Sequence, residues 1–259
     1  MFVDSHCHLN YKGLVEDQAA VIARASDAGV SAMLNISTRE SEWEAVVATA
    51  DAFPNIWATI GIHPHEADSH PHIDTAKLIA KSAHPKVVGI GETGLDYFYD
   101  KSDRERQKCS FRAHIVAARE TQLPIIIHTR DAEGDTANIL REEMGKGPFK
   151  GVIHCFTASQ NFADIALSLG LYISMSGIVT FKNAKNLQDC AMRIPSDRLL
   201  IETDSPFLAP VPHRGRPCEP AYVADTARFI ANIRSESVER LGRQTGENFF
   251  RLFSKASPQ

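Results

Sequence analysis

Two histidines stand close together near the start of the chain, within the run Asp4-Ser5-His6-Cys7-His8. The apolar residues 1–3 that precede this run predict a first β-strand. Alternate side chains of a strand point to the same face, so His6 and His8 share one face and Cys7 points to the other. Two imidazoles arranged in this way are typical of one half of a metal site, with the other donors supplied from elsewhere in the chain.

Most of the later apolar runs also end in a residue that could donate to a metal ion. A single histidine at the end of a strand is usually an ordinary surface or core residue, but donors repeated at the ends of several strands indicate a shared site. The predicted donors are His6, His8, Glu92, His128, His154 and Asp204. On the same strand faces, beneath the later donors, we expect an apolar layer of Val88, Ile90, Ile126 and Val152.

The number of donors bears on the number of ions. Six groups are too many for one tetrahedral ion, and they suit two divalent ions that a carboxylate bridges. Glu92 comes from a middle strand and is the predicted bridge. The first ion is expected on His6, His8, Glu92 and Asp204, and the second on Glu92, His128 and His154. On ligand softness, this many imidazoles favour zinc or manganese over magnesium.

Two further carboxylates, Asp4 and Glu202, each lie two positions before a predicted donor. Two interpretations stay open for them: they orient the imidazoles of the centre, or they accept hydrogen bonds from buried backbone. Cys7 and Cys155 alternate with donors along the chain, so we expect them to pack against the surrounding helices.

Strand and helix patterns alternate eight times along the chain. Most strand patterns are short and continuously apolar, as expected for strands that are buried on both faces. This predicts an α/β fold, a single-domain (β/α)8 TIM barrel over residues 1–259, and the donors at the strand ends favour it over a doubly wound open sheet. The predicted strands cover residues 1–3, 31–36, 55–62, 86–92, 123–128, 151–154, 171–176 and 198–203. The predicted helices cover residues 14–28, 38–53, 71–83, 103–121, 132–144, 159–169, 183–192, 221–233 and 238–253.

The composition excludes several classes of protein. The net charge of −4 and the pI of about 6.3 give no global positive field, so any nucleic acid must be bound by local cations or by metal ions. The five cysteines include no Cys-x-x-Cys pair, which favours free thiols in a reducing, cytoplasmic compartment. We find neither a signal-peptide pattern nor an apolar run of membrane-spanning length, so no membrane partner is expected.

Six stretches together resemble one family, the TatD-type metal-dependent deoxyribonucleases of the amidohydrolase superfamily. The resemblance implies a (β/α)8 barrel, a divalent-metal centre and the magnesium-dependent hydrolysis of phosphodiester bonds in DNA. It also implies metal-ligand roles for the same six donors. The matching stretches are residues 4–9 (DSHCHL), 61–65 (GIHPH), 91–97 (GETGLDY), 127–130 (IHTR), 154–157 (HCFT) and 202–208 (ETDSPFL).

The chain departs from the family pattern in the loop over residues 213–220. Pro217 and Cys218 stand where a basic residue and an asparagine are more typical of the family. We therefore expect an altered loop beside the site, with unchanged metal ligands.

The catalytic roles expected from this pattern belong to Asp204, Glu92 and His63. Asp204 is the expected acceptor of the proton of the attacking water, in a centre where two divalent ions neutralise the phosphodiester. His63 is expected to hydrogen-bond the phosphate or to protonate the leaving oxygen. The open alternative for His63 and its neighbour His65 is a structural role in a loop pinned by Pro64.

The expected substrate contacts come from loops that follow the strands. Cations in these loops can bind flanking phosphates, and aromatic rings at a site mouth can stack unpaired bases or cover the top of the barrel. A narrow mouth favours exonucleolytic action on single-stranded or frayed DNA ends. The expected contacts are His65, Tyr97, Arg130, Arg214 and Arg216, with Lys182, Phe98 and Tyr99 as further candidates.

Two other functions remain open. The same barrel and donors also serve hydrolysis of small-molecule amides, esters or phosphotriesters. Many such centres bridge their ions with a carboxylated lysine, whereas the fourth strand here ends in Glu92, which favours the nuclease. A barrel that has lost activity should lack a donor, and none is missing. Active protein is expected to use two magnesium or manganese ions, with zinc as an ion that the histidines can also hold.

Overall fold

Eight parallel strands follow one another around one sheet in the computed structural model, which describes residues 1–258. Each strand pairs with the next one along the chain, and helices cover the outside. The strands are β1 (Phe2–Cys7), β2 (Val30–Asn35), β3 (Ile56–Ile60), β4 (Val87–Asp96), β5 (Ile125–Arg130), β6 (Gly151–Ile153), β7 (Tyr172–Met175) and β8 (Leu199–Ile201). The helices are α1 (Gln18–Asp27), α2 (Trp43–Ala52), α3 (Thr75–Ser82), α4 (Arg104–Thr121), α5 (Glu133–Lys146), α6 (Gln160–Ser168), α7 (Lys185–Arg193), α8 (Val223–Ile233) and α9 (Val238–Leu252).

The sheet closes where the end of β1 meets the segment after β8. The backbone N–H of Asp204 donates to the carbonyl of His6 at 2.9 Å, and the N–H of His8 donates to the carbonyl of Ser205 at 2.9 Å. Cys7 and Ser205 form an isolated parallel bridge between the same segments. The predicted (β/α)8 TIM barrel is therefore confirmed, and its closing hydrogen bonds join three predicted donors through their backbones.

The barrel interior is filled by side chains, as packed TIM barrels require. The buried cluster that fills it also includes Phe249 and Leu252 of α9 and Phe253, which directly follows that helix. A second cluster joins the outward strand residues to the helices, and Cys7 lies in it as expected. The strand residues of this interior cluster, in order, are Val3, Ala32, Leu34, Trp57, Val88, Ile126, Val152, Tyr172 and Leu200.

One residue of the predicted interior layer lies elsewhere. Ile90 packs in the outer cluster, so its predicted position beneath Glu92 is wrong. The reason is a register shift between β3 and β4, where Ala58 pairs with Val87 but Thr59 already pairs with Gly89. The extra residue reverses the alternation along β4, which a period-two argument cannot foresee.

The first and fourth strands are longer than their apolar runs predict. β1 continues to Cys7, and β4 continues through Glu92 to Asp96, so both carry predicted donors within the strand itself. The first helix is shorter than predicted, because Val15–Asp17 form a separate 3-10 turn before α1. Within residues 1–258, no helix is long and apolar enough to cross a membrane.

Candidate metal centre

The carboxylate of Glu92 lies at the middle of a group of imidazoles, with 3% of its side chain exposed. Its Oε1 atom is 2.8 Å from His154 Nε2 and 3.1 Å from His128 Nδ1. Its Oε2 atom is 3.3 Å from His6 Nε2 and 3.9 Å from His8 Nε2. The two oxygens thus face two separate sets of donors, which is the arrangement of a carboxylate that bridges two ions.

The first donor set combines His6 of β1, His8 directly after β1, and Asp204. The Nε2 atoms of His6 and His8 are 3.3 Å apart. Asp204 Oδ1 lies 3.5 Å from His6 Nε2 and 3.3 Å from His8 Nε2. Ligands of a tetrahedral ion with bonds of about 2.0–2.1 Å are themselves separated by roughly 3.4 Å. The spacing of these donors therefore fits one small divalent ion.

The second donor set lies on the other side of Glu92. His128 Nδ1 and His154 Nε2 are 3.4 Å apart, and both face Glu92 Oε1. The outer ring nitrogens have carboxylate partners: His128 Nε2 is 3.0 Å from Asp96 Oδ2, and His154 Nδ1 is 3.3 Å from Glu202 Oε1. A carboxylate on the outer nitrogen keeps the ring proton there and leaves the inner lone pair free for a metal ion.

His63 also approaches Glu92, but its tautomer differs. His63 Nε2 lies 3.3 Å from Glu92 Oε1, while His63 Nδ1 accepts the backbone N–H of His65 at 3.1 Å. Because Nδ1 is the acceptor, the neutral ring carries its proton on Nε2, where it points toward the centre. Burial lowers the pKa of His63 to about 4, which keeps the ring neutral. These features suit a hydrogen-bond donor better than a metal ligand.

The centre favours ionised carboxylates. Burial by itself would raise the pKa of Glu92, but the charge of His154 and the hydrogen bonds from His128 and His154 hold that pKa well below its usual range. The pKa of Asp204 is also lowered, because His8 and His6 outweigh the effect of burial. Buried anions among imidazoles bind either protons or metal cations, so the two compete for the same donors.

The two carboxylates with open roles take different positions. Asp4 accepts hydrogen bonds from the N–H of Thr203 at 2.9 Å and its hydroxyl at 2.6 Å, and from the backbone N–H of His6 at 3.3 Å. Glu202 lies against the ring of His154 and also accepts the backbone N–H of Cys155 at 2.8 Å. Asp4 therefore supports the backbone, and Glu202 both supports backbone and orients an imidazole.

Asp96 is a residue at this site to which the sequence argument assigned no role. It is buried, and Oδ2 lies 3.0 Å from both His128 Nε2 and His65 Nε2. Its pKa is lowered, since the hydrogen bond from His128 and the close approach of His65 outweigh burial. The sequence signal for Asp96 was its position four residues after Glu92 in the matching stretch 91–97. The predicted strand ended at Glu92, so Asp96 was not assigned to the site.

The predicted substrate contacts are distributed around the strand ends. Arg130 lies over the ring of Phe98, with the guanidinium carbon 3.9 Å from the centroid. Tyr97 is partly buried, and its hydroxyl donates to Asp135 Oδ2 at 2.7 Å rather than standing free at the mouth. His65 lies edge-on to Tyr99, with the ring centroids 5.3 Å apart.

Two more of the predicted cations, Arg214 and Arg216, lie in the segment after β8. Arg214 stacks over Phe181, with the guanidinium carbon 3.8 Å from the ring centroid. Arg214 and Lys182 both line a cavity of about 920 Å³. None of the six predicted metal donors lines that cavity. Arg216 is exposed in the divergent loop. In that loop Pro217 is exposed, whereas Cys218 is buried and donates its backbone N–H to the carbonyl of Pro206 at 3.0 Å, so Cys218 fastens the loop near Asp204.

Comparison with known proteins identifies the family of this chain. Residues 3–254 match the sequence model of a family described as TatD related DNase. An uncharacterised metal-dependent hydrolase of Escherichia coli, YcfH, is 44% identical over 255 residues, covering 97% of this chain and 95% of that protein. A protein of Pectobacterium parmentieri named 3'-5' ssDNA/RNA exonuclease TatD is 36% identical over 248 residues, covering 93% of this chain and 95% of that protein.

A solved structure has the same architecture over its full length. The crystal structure of YJJV, a TatD homologue from Escherichia coli, superposes with a TM-score of 0.88 at 27% sequence identity and covers 98% of each chain. The sequence match, the barrel and the carboxylate among strand-end histidines agree with one another. This chain belongs to the TatD-related DNase family of metal-dependent hydrolases.

Proposed function

We propose that this protein is a divalent-metal-dependent deoxyribonuclease that hydrolyses phosphodiester bonds, acting as an exonuclease on single-stranded or frayed DNA ends. One observation carries the proposal: the two oxygens of the Glu92 carboxylate, Oε1 and Oε2, each face a separate set of donors. Two-ion centres of this kind are suited to phosphodiester hydrolysis. The proposal treats residues 1–259 as one catalytic domain.

The proposed ligands follow the two donor sets. Bound divalent ions would neutralise phosphoryl oxygens and lower the pKa of water, which is the chemistry that a phosphodiester requires. Magnesium or manganese is proposed for turnover, and zinc as an ion that the imidazoles can also hold. The first set is His6, His8, Glu92 and Asp204, and the second is Glu92, His128 and His154.

Asp204 is proposed to accept the proton of the attacking water. Its side chain is 15% exposed, so it is the rim carboxylate of the centre, whereas that of Glu92 is 3% exposed. A lowered pKa keeps the Asp204 carboxylate ionised at neutral pH, and therefore in the form that accepts a proton.

His63 is proposed to donate a hydrogen bond from Nε2 to a phosphoryl or leaving oxygen. The backbone N–H of His65 occupies the other nitrogen of the ring and so holds this tautomer. Arg130, Arg214 and Arg216 are proposed to bind phosphates that flank the scissile bond, because such contacts position a strand without reading its sequence. His65 and Tyr97 remain proposed substrate contacts.

The test is timed digestion of end-labelled DNA. Chelator-treated protein should leave single-stranded DNA intact, and added magnesium or manganese should restore stepwise release of mononucleotides. Glu92→Gln is the matched variant, since it keeps the shape of the bridge and removes its charge. Undiminished digestion in excess chelator would contradict the metal requirement, and comparable cutting of closed circular single strands would contradict the requirement for a free end.

A substrate panel separates the nuclease from the small-molecule hydrolase. RNA of the same sequence, a phosphotriester, a carboxylic ester and an amide should be tested beside the DNA with the same metal-loaded protein. The proposal requires kcat/KM to be highest for a nucleic acid. A higher value for the ester, amide or phosphotriester would assign this protein to the small-molecule function instead.

A further inference from the structure

The exposed aromatic rings of this protein are concentrated at the metal centre. Within residues 1–258, only three aromatic side chains are among the exposed large hydrophobic ones: Phe98 at 54%, Tyr99 at 52% and Phe207 at 50%. Single exposed hydrophobic residues are common on protein surfaces, but three large rings around one site indicate a binding surface. The exposed rings adjoin histidines of the centre on two sides.

The first group, here called the Phe98 bank, comprises the rings of Phe98 and Tyr99 and the guanidinium of Arg130. The two rings meet edge-on with centroids 4.9 Å apart, and the Arg130 guanidinium lies over both, at 3.9 and 4.8 Å. The backbone N–H groups of Phe98 and Tyr99 donate to Asp96 Oδ1 at 3.1 and 2.9 Å. The carboxylate that orients His128 therefore also holds this bank in place.

The second group, here called the Phe207 bank, comprises Phe207 and Tyr11. Phe207 lies edge-on to Tyr11 and His8, with centroids 6.1 and 6.3 Å apart. Tyr11 stacks on the ring of His8 at 4.5 Å and is anchored through its hydroxyl, 2.6 Å from Thr38 Oγ1. The backbone N–H of Phe207 donates to the carbonyl of Asp204 at 3.0 Å, so this ring belongs to the turn that begins at the rim carboxylate.

The two banks are linked to histidines that face different oxygens of Glu92. The Phe98 bank adjoins His65 and is joined through Asp96 to His128, which faces Oε1. The Phe207 bank adjoins His8, whose Nε2 atom is nearer to Oε2. A phosphodiester held at the centre would thus have an aromatic surface on each side.

We propose that the two banks form a clamp for the two nucleobases that flank the scissile phosphate, so that the minimal substrate is an unpaired dinucleotide. This inference rests on the proposed function and adds its substrate requirement. Every base has a π-face, so a clamp of this kind accepts any sequence. Bases inside a duplex are already stacked on their neighbours, which is why the clamp selects single strands and frayed ends.

Arg130 adds a charge to the first bank. Within the described residues, no carboxylate lies within 4.0 Å of its guanidinium, although many other arginines of the chain are paired. Its stacked plane leaves the N–H edges free for a phosphate while the rings beside it receive a base. A base next to a phosphate is the pattern that such a pair of groups recognises.

The experiment uses metal-loaded protein and four dinucleotides: one with both bases, one abasic on the 5' side, one abasic on the 3' side and one with neither base. The variants are Phe207→Leu and the double variant Phe98→Leu/Tyr99→Leu, which keep apolar volume and remove rings. Met192→Ala is the control, because this residue near the end of α7 is 47% exposed and lies in neither bank.

Removal of either bank should lower kcat/KM on the intact dinucleotide by roughly 5- to 150-fold, mainly through KM, as expected for one lost base-stacking contact. The loss should disappear on the dinucleotide that lacks the base on the corresponding side, and the two banks should be sensitive to opposite sides. Equal losses on all four substrates, or no loss on any, would overturn the clamp.

A binding readout keeps this test separate from the nuclease proposal. A phosphorothioate-linked dinucleotide that carries 2-aminopurine should lose fluorescence on binding to the metal-loaded protein, because stacking quenches that base. The quenching should be weaker in the bank variants and unchanged in Met192→Ala. Full quenching in both bank variants would contradict the clamp. Failure of the parent protein to cut any intact nucleic acid, with quenching retained, would contradict the nuclease and leave the clamp supported.

Discussion

Asp96 and His128 are joined at the edge of the metal centre, with Asp96 Oδ2 3.0 Å from His128 Nε2. The opposite nitrogen of the same ring, Nδ1, faces Glu92 Oε1 at 3.1 Å. The Asp96 carboxylate fixes the plane of the imidazole and holds a proton on Nε2, while Nδ1 faces Glu92, the proposed bridging carboxylate. The ring can therefore present its lone pair to an ion without further rearrangement.

Asp96→Asn should weaken metal binding at the second donor set. An amide can still accept the proton of His128, but its neutral charge no longer raises the basicity of the ring, and losses of this kind are typically about 10- to 100-fold in metal affinity. Calorimetric titration of manganese into the parent and variant proteins measures the change. Asp27→Asn, at the exposed end of α1, is the control. Unchanged affinity in Asp96→Asn would remove its role in orienting His128.

Glu92→Gln and Asp204→Asn should differ in kind. Glu92 is proposed to bridge both ions, and a neutral amide is a poorer ligand for a hard cation, so Glu92→Gln should lose metal from both sets and recover part of its activity at high metal concentration. Asp204→Asn should keep an ion on Glu92, His128 and His154 but lose the base, which typically costs about 10²- to 10⁴-fold in rate. Metal titration with parallel turnover measurements checks both. Full rescue of Asp204→Asn by added metal would leave Asp204 a simple ligand.

Acid should remove the ions. The pKa values of His128 and His154 are raised, because nearby carboxylates outweigh burial, so protons compete with metal for these rings as the pH falls. Activity and metal content should therefore fall together below about pH 6, close to the ordinary titration of histidine. Equilibrium dialysis with manganese between pH 5 and 8, followed by metal analysis and activity assays, tests this. Loss of activity with full metal content would contradict competition between protons and metal as the cause of the acid loss.

His114 should make the fold less stable in acid, independently of the metal centre. The buried ring accepts the N–H of Ile62 on Nε2 at 3.0 Å, and burial lowers the pKa of His114 to about 4. Since an unfolded histidine titrates near 6.5, only the unfolded chain gains this proton between about pH 6.5 and 4, and stability falls as the pH falls. The contribution of His114 to the free energy of unfolding is fully present above that window. At pH 5 it is about 2 kcal/mol smaller than above the window.

The matched variant for this test is His114→Gln, whose side-chain carbonyl can still accept a hydrogen bond. Urea unfolding of metal-free parent and variant at pH 7.5 and 5 should show a smaller acid loss for the variant. His72→Gln, which changes an exposed histidine, should follow the parent. An identical acid loss in His114→Gln and the parent would show that His114 does not carry this linkage.

Gly94 should be intolerant of a methyl group. It has φ +139°, and an added Cβ would lie within 3.0 Å of the backbone of His128. Gly94→Ala should therefore push β4 away from β5, lower the free energy of unfolding by about 2–4 kcal/mol and weaken metal binding. Gly145→Ala is the matched control, because nothing lies within 4 Å of its added Cβ in α5, and this change should stabilise by roughly 0.5–1 kcal/mol. Equal unfolding midpoints for the two variants would refute the steric argument.

The sequence by itself determined the barrel and the predicted donors. Short apolar runs that alternate with helical patterns have few ways to bury both faces of each strand, so eight repeats of the pattern led to the (β/α)8 fold that the structure confirms. The ends of parallel strands meet at one face, which is why His6, His128 and His154 could be placed near Glu92 before any distance was known.

Only the tertiary structure decided how these side chains are oriented. The shift in register along β4 moved Ile90 outward, and the continuation of that strand brought Asp96 to the outer nitrogen of His128. The hydrogen bond from the backbone of His65 set the tautomer of His63. These features depend on contacts between residues that are distant in the chain or on local departures from regular pairing, and neither leaves a periodic signal in the sequence.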